Sequence, residues 1–207
     1  MKKTILLLIS ICNTFAVSAS ARRVECQGLQ NVHQDDRTKG EKNLHKAIEN
    51  GNYKAVKKAL LRDKVDPNKR NPEERGGTPL HMAAERNLSK IVRLLLLHPD
   101  IQIYKNNHRG ETVLHAAAKG DSIRSIRFIL SHESLLRATD PEYATDDYIS
   151  LLHTVNKNHQ TPLHTSVMYN AHRATAFFLR RARHLNRYAD RHGKYPNDYD
   201  EDSSSEN

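Results

Sequence analysis

The chain has 207 residues, of which 37% are hydrophobic and 28% are charged, and its formal net charge is +9 at pH 7. This length and apolar content suit one ordinary domain or a short repeat array and exclude a protein with many membrane spans. The excess of basic residues favours acidic partners, but net charge alone does not choose among acidic proteins, nucleic acid and anionic lipids.

The first 21 residues have the pattern of a secretory signal peptide. Lys2 and Lys3 precede an apolar run from Ile5 to Val17, and small residues follow up to position 21. The run is about 13 residues, shorter than the roughly 20 that a transmembrane helix needs. We therefore expect residues 1–21 to be removed and the mature chain to be periplasmic or secreted, with no membrane span. The short basic start favours a bacterial source.

The two cysteines lie near this end of the chain. Lipid attachment at Cys12 is the alternative to simple cleavage, and it is disfavoured because the bulky Ile11 precedes the thiol. Cleavage leaves Cys26 as the remaining cysteine of the mature chain, so no intramolecular disulfide is expected. Residues 22–40 are polar and lack an apolar period, which predicts a flexible leader.

The segment from Gly76 to His98 predicts a pair of short helices. Thr78 is a suitable N-cap, and Pro79 fits the first helical position, where its missing N–H costs nothing. Apolar residues at helical spacing then form a stripe that is broken at Arg86-Asn87 and resumes at Ile91. The sequence therefore predicts two helices joined by a tight turn.

The same pattern occurs four times, with a truncated fifth copy in DRHGKYPNDYD. Its leucine-histidine pair begins at Leu44, Leu80, Leu114 and Leu163, and the intervals are 36, 34 and 49 residues. The long third interval predicts a locally acidic insertion at residues 131–157. The predicted divisions are units at about 41–72, 73–106, 107–140 and 156–189, a partial unit at 190–199 and an acidic disordered tail at 200–207.

GGTPLH, GETVLH and HQTPLH, each followed by an apolar second stripe, resemble the openings of ankyrin repeats. The resemblance covers about residues 41–199. It implies an all-α solenoid of helix-turn-helix units joined by hairpin-like finger loops. Such units must stack, because one helix pair of this length cannot bury its apolar face alone. Two features depart from the family pattern: the insertion is too long for a finger loop, and His159 stands where the second copy has Gly76.

Four of the 13 histidines, His45, His81, His115 and His164, hold the same place in each unit. Their spacing follows the repeat and not a zinc-ligand pattern. The resemblance implies that these imidazoles tie neighbouring units together through hydrogen bonds. No nucleophile or phosphate-loop motif is present. The sequence predicts no catalytic, cofactor-binding or metal-binding residues.

The resemblance implies that a partner is bound by the finger loops and the outer positions of the first helices. Basic side chains mixed with tyrosine and methionine are typical of protein-binding surfaces. The candidate partner-binding residues are Lys69, Arg70, Arg75, Met82, Arg86, Tyr104, Lys105, Arg109, Lys119 and Tyr169.

We expect a monomeric, non-enzymatic interaction protein that binds an acidic protein surface. An exported bacterial protein of this kind would act in the periplasm or as an effector directed at a host cell. The alternative is an inhibitor or immunity-type protein that blocks a periplasmic or host enzyme through the acidic insertion. A hydrolase with an unrecognised site is a weaker third hypothesis. Nucleic-acid binding by the arginines between Arg173 and Arg191 is disfavoured, because it does not suit an exported protein.

Overall fold

The computed structural model describes residues 37–62, 65–140 and 150–199. The signal peptide, most of the leader, the acidic tail and positions 141–149 of the insertion lie outside the described residues. Within the described part, no helix is both long enough and apolar enough to cross a bilayer.

The described residues form eight α-helices and no β-strand, which confirms the all-α prediction. A short 3-10 helix at Arg183–Arg187 follows the last of them. The α-helices are α1 (Lys39–Glu49), α2 (Tyr53–Arg62), α3 (Pro79–Glu85), α4 (Ser89–Leu96), α5 (Val113–Lys119), α6 (Ile123–Thr139), α7 (Pro162–Met168) and α8 (His172–Arg181).

The helices pack in two layers. The first helix of each unit contacts the first helix of the next, so that α1, α3, α5 and α7 form an inner layer. The second helices α2, α4, α6 and α8 contact one another in the same order and form an outer layer. The leucine of each leucine-histidine pair is buried between the layers, with exposed fractions of 0 or 1%. This continuous core is the reason why short helices are stable here.

The first helix begins earlier than the repeat pattern predicts. Thr38 caps α1, and its backbone N–H donates to Glu41 Oε2 at 2.7 Å while Glu41 N–H donates to Thr38 Oγ1 at 3.3 Å. This capping box starts α1 at Lys39. The predicted leader 22–40 is therefore wrong at its end, because its last residues already belong to the fold.

The turns between paired helices are fixed by residues in the left-handed region. The predicted turns at Asn50-Gly51, Arg86-Asn87 and Tyr169-Asn170 are confirmed, with positive φ at Gly51, Asn87 and Asn170. Asp121 has the same conformation in the third unit, and its Oδ1 accepts a hydrogen bond from Ala174 N–H at 2.7 Å. The turn residues therefore also connect consecutive units.

The predicted insertion at 131–157 is partly helical. α6 is 17 residues long and continues to Thr139. Glu133 on this extension is buried, and its Oε1 accepts a hydrogen bond from Leu151 N–H at 2.8 Å. Leu151 and Leu152 are buried in the core. Both ends of the insertion are thus attached to the stack, which the prediction of an insertion did not specify.

The inner layer is packed closely enough to require a glycine. A Cβ on Gly120, at the end of α5, would lie inside contact distance of the Glu85 carbonyl oxygen, 2.7 Å from its carbon and 3.0 Å from Ala84 O. The φ of Gly120 is −81°, which any residue can adopt. Glycine is therefore required at position 120 because there is no room for a Cβ atom, and not because of the backbone conformation.

Candidate functional site

Four finger loops precede the inner helices from α3 onward and end in the last partial unit. We name them finger 1 (71–77), finger 2 (107–111), finger 3 (156–160) and finger 4 (190–194). In finger 2 the Asn107 Oδ1 accepts hydrogen bonds from the backbone N–H groups of Arg109 and Glu111, at 2.9 and 3.0 Å. Asn156 and Asp190 close fingers 3 and 4 in the same way. A side-chain oxygen at the start of each loop therefore sets its turn.

Each finger also contains a residue with positive φ at the same place. Gly76, Gly110 and Gly193 have φ of 69°, 75° and 75°, and His159 has 59°. His159 thus takes the glycine conformation, and the third-to-fourth junction keeps the finger geometry despite its departure from the family pattern. A left-handed conformation costs a non-glycine residue about 1–2 kcal/mol.

Neighbouring fingers are joined by backbone hydrogen bonds. His108 N–H donates to Arg75 O, Lys157 N–H to Arg109 O, and Arg191 N–H to Asn158 O, each at 3.0 Å. The four fingers therefore form one continuous row, and the side chains at their tips are held in a fixed relation to one another.

Two of the four repeated histidines, His81 and His115, connect their inner helix to the next finger. Thr112 N–H donates to His115 Nδ1 at 3.2 Å, so the ring proton is on Nε2, which donates to Gln160 O at 2.9 Å. His81 makes the equivalent bond to Glu111 O at 3.1 Å. Burial lowers the pKa of both His81 and His115 to about 4, so both rings are neutral at pH 7. Among the described residues, no three side chains of His, Cys, Asp or Glu form a metal-binding group.

Two grooves of opposite charge lie between the fingers and the inner helices. The acidic groove, of about 210 Å³, lies beside fingers 1 and 2 and is lined by Glu73, Glu74, Glu85 and Glu111 together with Arg75. The basic groove, of about 410 Å³, lies between fingers 2, 3 and 4 and α7. It is lined by the cations Arg109, Lys157 and Arg191, by the exposed side chains of Met168 and Tyr169, and by one carboxylate, that of Glu111.

Cations near the acidic groove are neutralised by ion pairs. Arg86 lies 2.8 Å from Glu74 Oε1, and Lys119 Nζ lies 2.5 Å from Glu85 Oε1. The Lys119 ammonium also lies 4.9 Å from the centroid of the Tyr169 ring. Lys119 therefore positions Tyr169 at the edge of the basic groove by a cation–π contact.

The basic groove keeps exposed, unneutralised cations. Within the described part of the chain, Arg109 and Lys157 form no ion pair, and Arg191 donates from Nε to His192 Nε2 at 3.1 Å. All three side chains are exposed. Glu111 also lines this groove, but it forms no ion pair with the three cations, so the groove carries more positive than negative side chains.

The structure brings five of the ten sequence candidates together on the finger side of the inner layer. Arg109 and Tyr169 line the basic groove, Arg75 lines the acidic groove, and Arg86 and Lys119 lie between them in ion pairs.

The other candidates lie apart from the grooves or inside the protein. Lys69, Arg70 and Lys105 are half-exposed in the segments that lead to fingers 1 and 2. Tyr104 packs against the core, and its hydroxyl oxygen is buried. Met82 borders the acidic groove, but it is only 1% exposed and offers a partner almost no contact area, so the expectation for it is wrong.

Two cations of the basic groove, Lys157 and Arg191, are absent from the sequence candidates. The sequence carries a signal for them, because the spacing from Asn156 to Gln160 and from Asp190 to Lys194 repeats the spacing from 107 to 111 in finger 2. The insertion separates these fingers from the regular repeats and hides that equivalence.

Stacked helix pairs with a row of finger loops define a helical repeat solenoid that acts as a binding scaffold. A family model described as ankyrin repeats (3 copies) matches residues 7–107 and 44–140. The chain belongs to the ankyrin repeat family, whose repeats are protein–protein interaction modules.

Proposed function

We propose that this protein binds an acidic segment of another protein in the basic groove and catalyses no reaction. The observation that carries the proposal is the position of two exposed side chains, Met168 and Tyr169, among the cations of fingers 2, 3 and 4. Membership of the ankyrin repeat family supports a protein as the partner.

The chemistry of the groove fits such a segment. Arginine donates two parallel hydrogen bonds to a carboxylate, which makes Arg109 and Arg191 suitable anchors for aspartate or glutamate side chains. Tyrosine and methionine offer a large contact area with an adaptable shape. The hydrogen bonds between fingers hold these groups in place before binding, which reduces the entropy lost when a partner docks.

A matched pair of charge reversals tests this assignment. Arg109→Glu and Arg75→Glu make the same change at two exposed finger tips, one at the basic groove and one at the acidic groove. Proteins captured by the wild-type chain from its native compartment are identified by mass spectrometry, and each variant is then titrated with the identified partner. Arg109→Glu is expected to weaken binding at least tenfold, whereas Arg75→Glu leaves it within about twofold. Equal affinities for the two variants would refute the groove assignment.

Export is the second part of the proposal. The N-terminal pattern of two lysines, an apolar run and small residues supports removal of residues 1–21 by a bacterial export system. The protein would then act in the periplasm or, as an effector, on a host cell. The intact mass of the protein recovered from the native cell and its medium tests this. A full-length chain found only inside the cell would contradict it.

An inhibitor or immunity-type role remains the alternative function. The bond between Glu133 and Leu151 N–H supports it, because this bond holds the described residues on both sides of the acidic segment in place. Deletion of residues 141–148 distinguishes the two functions. The groove proposal expects partner binding to be unchanged by the deletion, and the inhibitor hypothesis expects it to be lost.

A further inference from the structure

The outer layer of helices presents a regular array of exposed basic side chains that line neither groove. Residues at positions i, i+3 and i+7 share one face of a helix. On α2 this face carries Lys54, Lys57 and Leu61, and all three side chains are exposed. The remaining three outer helices carry the corresponding exposed residues, which are Lys90, Arg93 and Leu97 on or just after α4, Arg124, Arg127 and Ser131 on α6, and Arg173, Ala176 and Arg180 on α8.

The repeat aligns these faces into rows. Lys54, Lys90, Arg124 and Arg173 each lie ten residues after the leucine of their unit's leucine-histidine pair. Because consecutive outer helices pack against one another, equivalent residues are neighbours, at the roughly 8–10 Å that separates packed helices. A second row follows with Lys57, Arg93 and Arg127, and Arg180 completes a set of eight cations that we name the basic array.

No carboxylate offsets the basic array from within the outer helices. α2, α4 and α8 contain no aspartate or glutamate, and the one carboxylate of α6 belongs to Glu133, which is buried and bonded to Leu151 N–H. Among the described residues, none of the eight cations forms an ion pair. The guanidinium of Arg93 lies 6.0 Å from the centroid of the Phe128 ring. The finger side is mixed, because Arg86 and Lys119 are paired there with carboxylates, whereas Arg109 and Lys157 are not.

The first row opposes the electrostatic preference of its helices. Each of its four members is the second residue of its helix, where the partial positive charge of the helix N-terminus favours an acidic side chain. None of these four helices has an acidic residue in its first turn. The row therefore costs stability and adds to the positive potential of the helix ends, which a role in folding does not explain.

Two exposed leucines accompany the cations. Leu61 and Leu97 hold the same position in consecutive units, and their exposed fractions are 73 and 74%. Each lies on the same face as two members of the basic array. A nucleic acid would neutralise the cations but leave these leucines in water. The headgroup region of an anionic lipid bilayer offers negative charge to the cations and an apolar boundary to the leucines.

We propose that the outer layer of helices docks on an anionic lipid surface. The eight cations contact headgroups across the width of four helices, and Leu61 and Leu97 enter the headgroup boundary. The interaction is peripheral, so it is expected to weaken as salt screens the charges. It uses outer-helix residues, none of which lines either groove, so a lipid surface and a protein in the basic groove can be bound together. The proposal does not depend on the partner assignment above.

Co-sedimentation of the mature chain with vesicles tests the proposal. The vesicles contain phosphatidylcholine alone or phosphatidylcholine mixed with phosphatidylglycerol. The triple variant Lys90→Glu, Arg124→Glu and Arg173→Glu removes three cations of the first row. Its new carboxylates lie where a helix N-terminus favours them, so the variant is expected to fold at least as stably as the wild type. The matched control reverses three finger-side charges, Arg75→Glu, Arg109→Glu and Lys157→Glu, and therefore has the same net charge.

The wild type is expected to bind the phosphatidylglycerol vesicles and not the neutral ones. The outer-layer triple variant is expected to lose at least tenfold in vesicle affinity, whereas the finger-side control stays within about threefold. Leu61→Ser with Leu97→Ser is expected to reduce binding severalfold without changing its salt dependence. Equal loss in both triple variants, or an absence of wild-type binding, would overturn the proposal. Binding to duplex DNA that exceeds binding to vesicles would assign the array to nucleic acid instead.

Discussion

Replacing Gly120 by alanine tests how closely the inner helices pack. The added Cβ would lie 2.7 Å from the Glu85 carbonyl carbon and 3.0 Å from Ala84 O, and closer still to the Glu85 oxygen. Real Cβ atoms do not approach other atoms this closely, so α3 and α5 must move apart by up to about 1 Å, since a rotamer change cannot relieve a contact with backbone atoms.

The size of the effect follows from that contact. Overpacking a core typically costs about 1–3 kcal/mol, and the better helix propensity of alanine returns less than about 1 kcal/mol because Gly120 caps the helix and does not lie in its interior. We expect Gly120→Ala to lower the free energy of unfolding by about 2 kcal/mol, measured by urea denaturation of the mature chain.

Gly193→Ala is the matched control. Its Cβ would meet no atom within 4 Å, but Gly193 has φ of 75°, so its expected cost of about 1 kcal/mol arises from backbone conformation alone. An alanine at 120 that leaves the unfolding free energy unchanged or raises it would refute the packing argument.

Three further predictions concern the repeated histidines, a helix cap and finger 3. The pKa of His81 and of His115 is about 4 in the folded protein, against 6.5 in the unfolded chain. The free energy of unfolding should therefore keep its full value above pH 6.5 and fall as the pH is lowered towards 4, by up to about 1.4 kcal/mol per pH unit for each ring. Urea denaturation at pH 7.5, 6 and 5 measures this loss, and a flat profile would contradict it. Thr112→Ala removes the N-cap hydroxyl, which lies 2.9 Å from His115 Nδ1 at the start of α5, and should cost about 1 kcal/mol, read from the urea midpoint. His159→Gly relieves a positive φ and should raise the unfolding free energy by up to about 1 kcal/mol, whereas a decrease would show that the imidazole itself stabilises finger 3.

The sequence determined the architecture because ankyrin-like units are local. Caps, turns and apolar stripes all fall within about 33 residues, and each unit meets mainly its neighbours, so a repeated pattern fixes both the helices and their stacking. Thr78 at a helix start and Asn87 at a turn have the roles that their residue types predict. Even the exposed rows of the basic array can be found by aligning the units.

The tertiary structure decided which surface residues act together. Met82 and Met168 are both on inner helices, but Met82 is buried beneath finger 1, and Met168 is exposed at the basic groove. Whether such a methionine is buried depends on the neighbouring unit and finger that pack against it, and the sequence pattern of its own helix carries no information about them. The insertion had a similar effect on fingers 3 and 4. It lengthens the spacing between repeats, and the spacing alone does not show that the chain resumes the same finger geometry after it. The repeat therefore specified the scaffold, and the packing of one unit on the next specified the grooves.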